Sequence, residues 1–106
     1  MKRLRKHAHI LRALSTTSPG VTKAIVQASD KDLVNTLCEC GVNVLKGNVQ
    51  LSTLQKKKLQ RHKSTLRQLA NKKQSLKRKK DLLQKGGFLG ALLGPVIGLL
   101  GNILQQ

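Results

Sequence analysis

The chain changes its chemistry abruptly at Gly86, and this boundary limits the folds that it can adopt. From Lys56 to Lys80 it carries twelve Lys or Arg residues among twenty-five, and no Asp or Glu. From Gly86 to Gln106 it carries no charged residue and consists largely of Leu, Ile, Val, Ala and Gly. A cationic segment joined to an apolar, glycine-spaced tail has two natural partners, a polyanion and a lipid bilayer.

The composition narrows the class of polyanion. The 106 residues carry a net charge of +17, and self-repulsion of this size opposes compaction unless a counter-charge or a core offsets it. Phe88 is the only Phe, Tyr or Trp. Single-strand binders stack bases on aromatic side chains, whereas contacts to duplex phosphates need only cations. The composition therefore favours duplex over single-stranded nucleic acid.

Apolar residues recur every three or four positions and nowhere alternate as in a strand, so we predict an all-α fold. A short basic helix is expected over residues 2–14 and a second over residues 19–28, with Ser18 as its N-cap and Pro19 in its first turn. Ser29 is expected to cap a third helix, which Gly47 stops. The predicted buried positions of the second and third helices are Val21, Ala24, Ile25, Ala28, Leu33, Val34, Leu37, Cys38, Gly41, Val44 and Leu45.

The basic segment is predicted to form two helices. Ser52, with Gln55 three residues later, should begin the fourth helix, and Ser75 should cap a fifth after a turn at residues 71–74. One long helix is the alternative, because Leu69 and Leu83 belong to a heptad series. The predicted inward residues of this segment are Leu59, Leu66, Leu69, Ala70, Leu76, Leu82 and Leu83.

The cations of the basic segment form the first candidate site. Spread over several faces of helices, they are suited to contact duplex phosphates without reading sequence. No zinc-finger, homeodomain or RNP motif accompanies them. The predicted nucleic-acid-binding residues are Lys56, Lys57, Lys58, Arg61, Lys63, Arg67, Lys72, Lys73, Lys77, Arg78, Lys79 and Lys80.

The apolar tail, which follows a predicted hinge at Gly86-Gly87, forms the second candidate site. Its glycines fall on one side of a helical projection, and such a stripe permits close helix–helix approach in lipid. Membrane insertion, interfacial binding, self-association and packing against the third helix are the alternatives. The predicted residues are Phe88, Leu89, Gly90, Leu92, Leu93, Gly94, Pro95, Val96, Ile97, Gly98, Leu99, Leu100 and Gly101.

No catalytic, metal or cofactor site is expected. Cys38 and Cys40 have no second Cys pair or His pair nearby with zinc-ligand spacing. The histidines and the four acids form no nucleophile pattern or metal-binding pair. The N-terminus is basic without the unbroken apolar run of a secretory signal, so synthesis in the cytosol with access to the nucleus is expected. The predicted segments are a helical module (1–47), a basic DNA-binding region (52–85) and an apolar tail (86–106).

Two stretches resemble the small basic proteins of animal Polinton (Maverick) elements and adintoviruses. They are LQKKKLQRHKSTLRQLANKKQSLKRKKDLLQKGGFLGALLGPVIGLLGNIL (54–104) and KAIVQASDKDLVNTLCECGVNVLKGNVQLS (23–52). The shared pattern is a polylysine helical region, a Lys-Gly-Gly-Phe junction and a Leu/Gly/Pro tail.

The resemblance implies a non-enzymatic virion protein comparable to the adenovirus core peptide that condenses duplex DNA. It would lie in the virion interior, and in the host nucleus or cytoplasm before assembly. Its tail would meet capsid protein, an anionic membrane or a second copy. The alternatives are a membrane-active capsid-internal protein whose basic region docks on anionic lipid, and a host chromatin-associated protein derived from such an element.

Overall fold

Seven α-helices and no strand make up the described part of the chain. The computed structural model describes residues 5–16, 18–85 and 87–104, and for Pro19 and residues 99–104 it describes the backbone alone. The predicted all-α fold is confirmed. The helices are α1 (Ala8–Thr16), α2 (Pro19–Ala28), α3 (Lys31–Leu45), α4 (Thr53–Gln60), α5 (Lys63–Leu69), α6 (Leu76–Leu83) and α7 (Phe88–Leu104).

Two serines cap the helices of the basic segment, as predicted. The Ser52 hydroxyl accepts a hydrogen bond from the Gln55 N–H at 3.1 Å, and the Gln55 side chain accepts one from the Ser52 N–H at 2.9 Å. The Ser75 hydroxyl accepts a hydrogen bond from the Arg78 N–H at 3.1 Å. These bonds satisfy backbone donors that the first turn of a helix leaves unpaired, so they set where α4 and α6 begin.

The cap of α3 differs from the prediction. Asp30 is the N-cap, and its carboxylate accepts a hydrogen bond from the Leu33 N–H at 2.9 Å. Ser29 instead donates its hydroxyl to the Ile25 carbonyl at 2.6 Å, at the end of α2. A carboxylate is favoured at the positive end of the helix dipole. At the other end Gly47 adopts φ +78°, so the predicted stop is confirmed.

The buried side of α2 was predicted only in part. Ile25 packs against the core as predicted, but Val21, Ala24 and Ala28 are exposed and Val26, which was not predicted, is fully buried. Both sides of this short helix carry apolar residues, but two of the three exposed ones are alanines, which bury little area. Packing against α6 therefore selects the side that carries Val26.

The basic segment forms three helices rather than one or two. A break at Arg61 and His62 separates α4 from α5, and no Gly or Pro marks it in the sequence. The His62 N–H bonds to the Leu59 carbonyl at 2.9 Å, three residues back. The His62 ring then packs edge-on against Phe88, with 5.5 Å between the ring centroids. The break thus places His62 in contact with the tail. This contact joins residues far apart in the chain, so the local sequence does not reveal it.

Buried residues from residues 1–47, 52–85 and 86–106 belong to one hydrophobic cluster. The three segments therefore differ in composition but share a core. Gly87 adopts φ +77° at the junction before α7, while Gly86 lies outside the described residues. The cluster contains Ala8, Leu11, Leu14, Val26, Val34, Leu37, Cys38, Cys40, Val44, Val49, Leu59, Leu66, Leu69, Leu82, Leu83, Phe88, Leu89, Leu92, Leu93 and Val96.

Helix α7 packs along α1 and also contacts α3 and α4. Leu14 at the end of α1 and Leu89 at the start of α7 line the same cavity, so the two helices run antiparallel. Five α7 side chains are almost fully buried. At roughly 1.5–3 kcal/mol for each, their burial contributes on the order of 10 kcal/mol before entropy losses, which is comparable to the net stability of a whole domain.

Two leucines predicted to point inward are exposed, Leu45 and Leu76. Leu45 is the last residue of α3 and Leu76 is the first of α6. Helical spacing places both leucines on the buried side of their helices. At the helix termini, however, that side no longer contacts the core, so both side chains are exposed.

We expect Leu37→Asp to lower the free energy of unfolding of the full chain by at least ~3 kcal/mol, because it places an unpaired charge in the core. Leu37 is completely buried. Leu45→Asp is the matched control on the same helix, where the side chain is 43% exposed. It should change the stability by less than about 1 kcal/mol. Urea unfolding followed by circular dichroism measures both, and equal losses would contradict the assigned face of α3.

Two glycines should respond in opposite directions to alanine. Gly98 lies inside α7 with nothing within 4 Å of an added Cβ, so Gly98→Ala should stabilise the protein by about 0.5–1 kcal/mol. Gly47→Ala should destabilise it by about 1–2 kcal/mol, because φ +78° is strained for alanine. Thermal unfolding of both variants checks the signs, and a loss of stability in Gly98→Ala would show that this side of α7 is occupied.

Candidate nucleic-acid interface

The leucines of α4, α5 and α6 orient the basic side chains. Leu59, Leu66, Leu69, Leu82 and Leu83 are all buried in the core. Because each of these helices has seven or eight residues, this narrow stripe determines its rotation about its own axis. Most of the remaining positions, which carry mainly Lys, Arg, Gln or Ser, are thereby turned toward solvent, whereas Thr65 is buried.

Ten of the twelve predicted nucleic-acid-binding cations are exposed. They lie on three consecutive helices and on the turns between them, so the positive charge is concentrated on one segment of the folded chain. Summed charge of this kind produces a potential that attracts polyanions over roughly the ~8–10 Å Debye length. The ten are Lys56, Lys57, Lys58, Arg61, Lys63, Arg67, Lys72, Lys73, Lys77 and Arg78.

The other two predicted cations, Lys79 and Lys80, are half-buried and make hydrogen bonds within the protein. Lys79 donates to the Asn35 side-chain oxygen at 3.1 Å, and Lys80 donates to the Gln27 carbonyl at 2.9 Å. These bonds join α6 to α3 and α2. Both lysines therefore hold the basic helices on the rest of the fold, and they are less available to a ligand than the other ten.

A polar groove runs along α5 and into the turn that follows it. It brings together three predicted cations, Arg61, Lys63 and Arg67, while the other predicted cations do not line it. The full lining is Gln60, Arg61, Lys63, Ser64, Arg67, Gln68, Asn71 and Gln74.

The neutral groove residues are not among the predicted site residues, because those were identified by charge alone. Their spacing of three or four positions carries a signal, because residues 60, 64, 68 and 71 follow one side of a helix. The break at residues 61–62 and the turn after α5 interrupt that helix. The sequence pattern alone therefore does not show that these side chains face the same space.

Hydrogen bonds order the middle of the groove. The Gln68 amide donates to the Ser64 hydroxyl at 3.1 Å, and its oxygen accepts a hydrogen bond from the Arg78 guanidinium at 2.9 Å. Gln68 is thus held from both sides, and Arg78 on α6 is drawn toward α5. The guanidinium adds a fourth cation beside the groove, although Arg78 does not line it.

The four acids leave this surface largely uncompensated. Asp30 caps α3, and Asp32 lies 2.8 Å from His7 Nε2 and 3.1 Å from Lys6 Nζ. Hydrogen bonds from His7 and then from Lys6 lower the pKa of the Asp32 carboxyl. The resulting stabilisation is present above the usual carboxyl pKa and is lost as pH falls through the lowered one. Of the acids, Asp81 alone belongs to α4–α6.

The two cysteines are buried free thiols of α3. Burial raises the pKa of Cys38, and it raises the pKa of Cys40 to about 12. A thiol with a raised pKa is a poor nucleophile and a poor metal ligand at neutral pH. No group of three or more metal-ligating side chains occurs in the described part of the chain.

The residues of the apolar tail divide between the core and the surface. Phe88, Leu89, Leu92, Leu93 and Val96 are core residues, Pro95 is buried, and Ile97 packs against the core. The glycines at positions 90, 94 and 98 face outward with nothing within 4 Å of an added Cβ. The side chains of Leu99 and Leu100, and the surroundings of Gly101, lie outside the described residues.

The glycine at position 94 is explained by the proline that follows it. A side chain on the residue before a proline clashes with the proline ring in a helix, and Gly94 has no Cβ. This allows α7 to continue through Pro95.

Among residues 5–16, 18–85 and 87–104, no helix combines the length and the apolar character needed to cross a bilayer.

Comparisons with protein-family models, with curated proteins and with solved structures find no match to this chain.

Proposed function

We propose that the protein is a non-enzymatic structural protein that binds duplex DNA and neutralises its phosphates without sequence preference. One observation carries the proposal. Ten exposed cations lie on three adjacent short helices and their turns, and a single acid, Asp81, belongs to those helices. Binding would release the counterions condensed on DNA, which is the main driving force of non-specific association.

The position of the aromatic ring supports a duplex rather than a single strand. Phe88 is the only Phe, Tyr or Trp in the sequence, and it is fully buried against His62. No such ring is left on the surface for unpaired bases to stack on. Phosphates of a duplex remain accessible to Lys and Arg on the outside of the double helix.

The distribution of the cations supports binding without sequence preference. Lysines outnumber arginines among the exposed cations, and a lysine meets a phosphate as a point charge. Contacts to phosphates position a protein on DNA but carry no sequence information directly. A basic surface of this kind is suited to coat or condense DNA.

The proposed setting is the interior of a virion of a Polinton-like element, and it rests on the resemblance of residues 23–52 and 54–104. A host chromatin-associated protein derived from such an element would use the same surface. In the virion, the exposed glycine side of α7 is proposed to meet capsid protein or a second copy, because the opposite side of this helix lies in the core.

The membrane-active alternative requires a larger rearrangement. For α7 to enter a bilayer, Phe88, Leu92 and Leu93 would have to leave a core in which each is fully buried. Exposing these three side chains would cost about 5–9 kcal/mol before lipid contacts offset it. The DNA-binding surface, in contrast, is exposed without any rearrangement.

The full chain is expected to bind unrelated duplexes of equal length equally well. Roughly five to eight phosphate contacts should give a slope of log K against log salt of about −4 to −7. Fluorescence anisotropy at several salt concentrations measures this slope. A slope near zero, or a preference of more than about tenfold for one duplex over others, would contradict the proposal.

Dye release from vesicles, measured with the same protein preparation, distinguishes the membrane-active alternative from DNA binding. Dye release from vesicles of anionic phospholipid should stay near background at protein concentrations that saturate DNA. Strong dye release together with a flat salt slope for DNA would favour the lytic function instead.

Self-association through α7 is tested with Gly90→Leu combined with Gly98→Leu. Both positions have room for a side chain, so the variant should fold, but the larger side chains keep a second helix from approaching closely. Chemical crosslinking should then give less dimer than the parent chain. Gly20→Leu, at an equally open position on α2, is the control and should crosslink like the parent. If the parent chain, the double variant and the Gly20→Leu control all crosslink equally, the copies do not contact each other through α7.

A further inference from the structure

The groove on α5 suggests where DNA is held, beyond the general charge of the surface. We infer that this groove is a specific binding site for one sugar-phosphate strand of a duplex. Arg61, Lys63 and Arg67 would pair with successive phosphates, and the neutral side chains would hydrogen-bond to phosphate oxygens. This inference rests on the proposed DNA binding and deepens it by naming the residues that contribute most.

The chemistry of the lining fits a phosphodiester. All eight lining residues carry a cationic, amide or hydroxyl side chain, and none carries a carboxylate or a purely apolar group. The aliphatic parts of the long side chains contribute apolar area to the groove, but no acidic residue lines it that would repel a phosphate. Guanidinium groups bind phosphates with two parallel hydrogen bonds, and amide and hydroxyl donors commonly add neutral contacts to the same oxygens.

The length of α5 matches a short run of phosphates. Its seven residues extend over about 10 Å at 1.5 Å per residue. Phosphates of one strand are spaced at about 3.4 Å along the axis of B-DNA and roughly twice as far apart along the strand itself, so this length covers about two or three of them. Three cations line the groove, which corresponds to about one per phosphate.

The neutral part of the groove is ordered before any ligand binds. The Gln68 amide donates to Ser64 within α5, and the bond from Arg78 to Gln68 links α6 to α5 across the turn. Asn71, at the end of the groove, accepts a hydrogen bond from the Lys73 N–H at 3.0 Å through its side-chain oxygen. Side chains that are already held lose less freedom on binding, so these neutral groups meet phosphate oxygens at a lower entropic cost than unrestrained ones.

The surroundings favour a polymer over a small anion. Lys57 and Lys58 lie in the turn of helix before the groove, and Lys72 and Lys73 lie in the turn after α5. All four are exposed. Cations at both ends would extend the contact to a strand that enters and leaves the groove, whereas a single phosphate would use only its centre.

Two triple variants of the full chain test the inference. The groove variant is Arg61→Gln, Lys63→Gln and Arg67→Gln. With a duplex of about 30 base pairs, we expect the salt slope to become less steep by about 2–3, which corresponds to three lost phosphate contacts. Circular dichroism of the variant should match that of the parent, because all three residues are exposed.

The control variant removes the same number of charges from outside the basic segment. It carries Lys23→Gln, Lys31→Gln and Lys46→Gln, which are exposed positions that do not line the groove. Its slope should change by about 1 or less, and its affinity at 0.1 M salt should exceed that of the groove variant by about tenfold or more.

Gln68→Ala tests the ordering of the groove without changing its charge. We expect binding to weaken about three- to fivefold with an unchanged salt slope, because the phosphate contacts remain but Arg78 and Ser64 lose their common partner. Unchanged affinity would overturn the orienting role of Gln68.

The outcomes distinguish this inference from the proposed function. Equal salt slopes and equal affinities for the two triple variants would show that the groove is not a specific binding site. DNA binding by diffuse charge would still stand. A parent chain with no salt-dependent DNA binding would overturn both. Tighter binding of the parent to a single strand of the same length than to the duplex would overturn the duplex as the occupant.

Discussion

The burial of the apolar side of α7 is the interaction on which the rest of the structure depends. Phe88, Leu92 and Leu93 are fully buried, and α7 packs against α1, α3 and α4. A chain with a net charge of +17 repels itself, and the helices that carry most of this charge are too short to be stable alone. The tail supplies apolar area that holds α4, and α3 packs against α5 and α6.

This arrangement links two segments that look unrelated in the sequence. The contact between His62 and Phe88 lies at the break between α4 and α5. From that break onward, α5 turns its leucines toward the core and its Arg, Lys, Gln and Ser residues toward the groove. The tail therefore shapes the charged surface, although it contributes no charge and does not line the groove.

The surface itself separates cations by role. Lys79 and Lys80 bond to Asn35 and to the Gln27 carbonyl and thereby fasten α6 to α3 and α2, whereas Arg78, one of the ten exposed cations, bonds to Gln68 within the basic segment. Composition treats all twelve alike. The distinction matters for binding, because a lysine that holds two helices together is restricted in position and has one of its three N–H donors already engaged.

Much of the local structure was predictable, because its causes lie close together along the chain. Ser52, Ser75 and Gly47 set helix ends through bonds or dihedral angles within a few residues. The 3.6-residue period identified Leu37, Leu66 and Leu82 as buried. The candidate interface was also predictable in outline, since a run of cations without acids has few other uses.

The sequence by itself determined that the chain is helical, where most of its helices begin, and that a strongly cationic surface would result. Only the tertiary structure decided which side of α2 is buried, where α4 ends, and that the tail lies in the core instead of in a partner. It also decided which three cations share a groove. These features depend on contacts between residues far apart in the chain, such as His62 with Phe88 and Lys80 with Gln27. Helical periodicity indicates that a residue has an apolar side to bury, but it carries no information about which distant surface will cover that side.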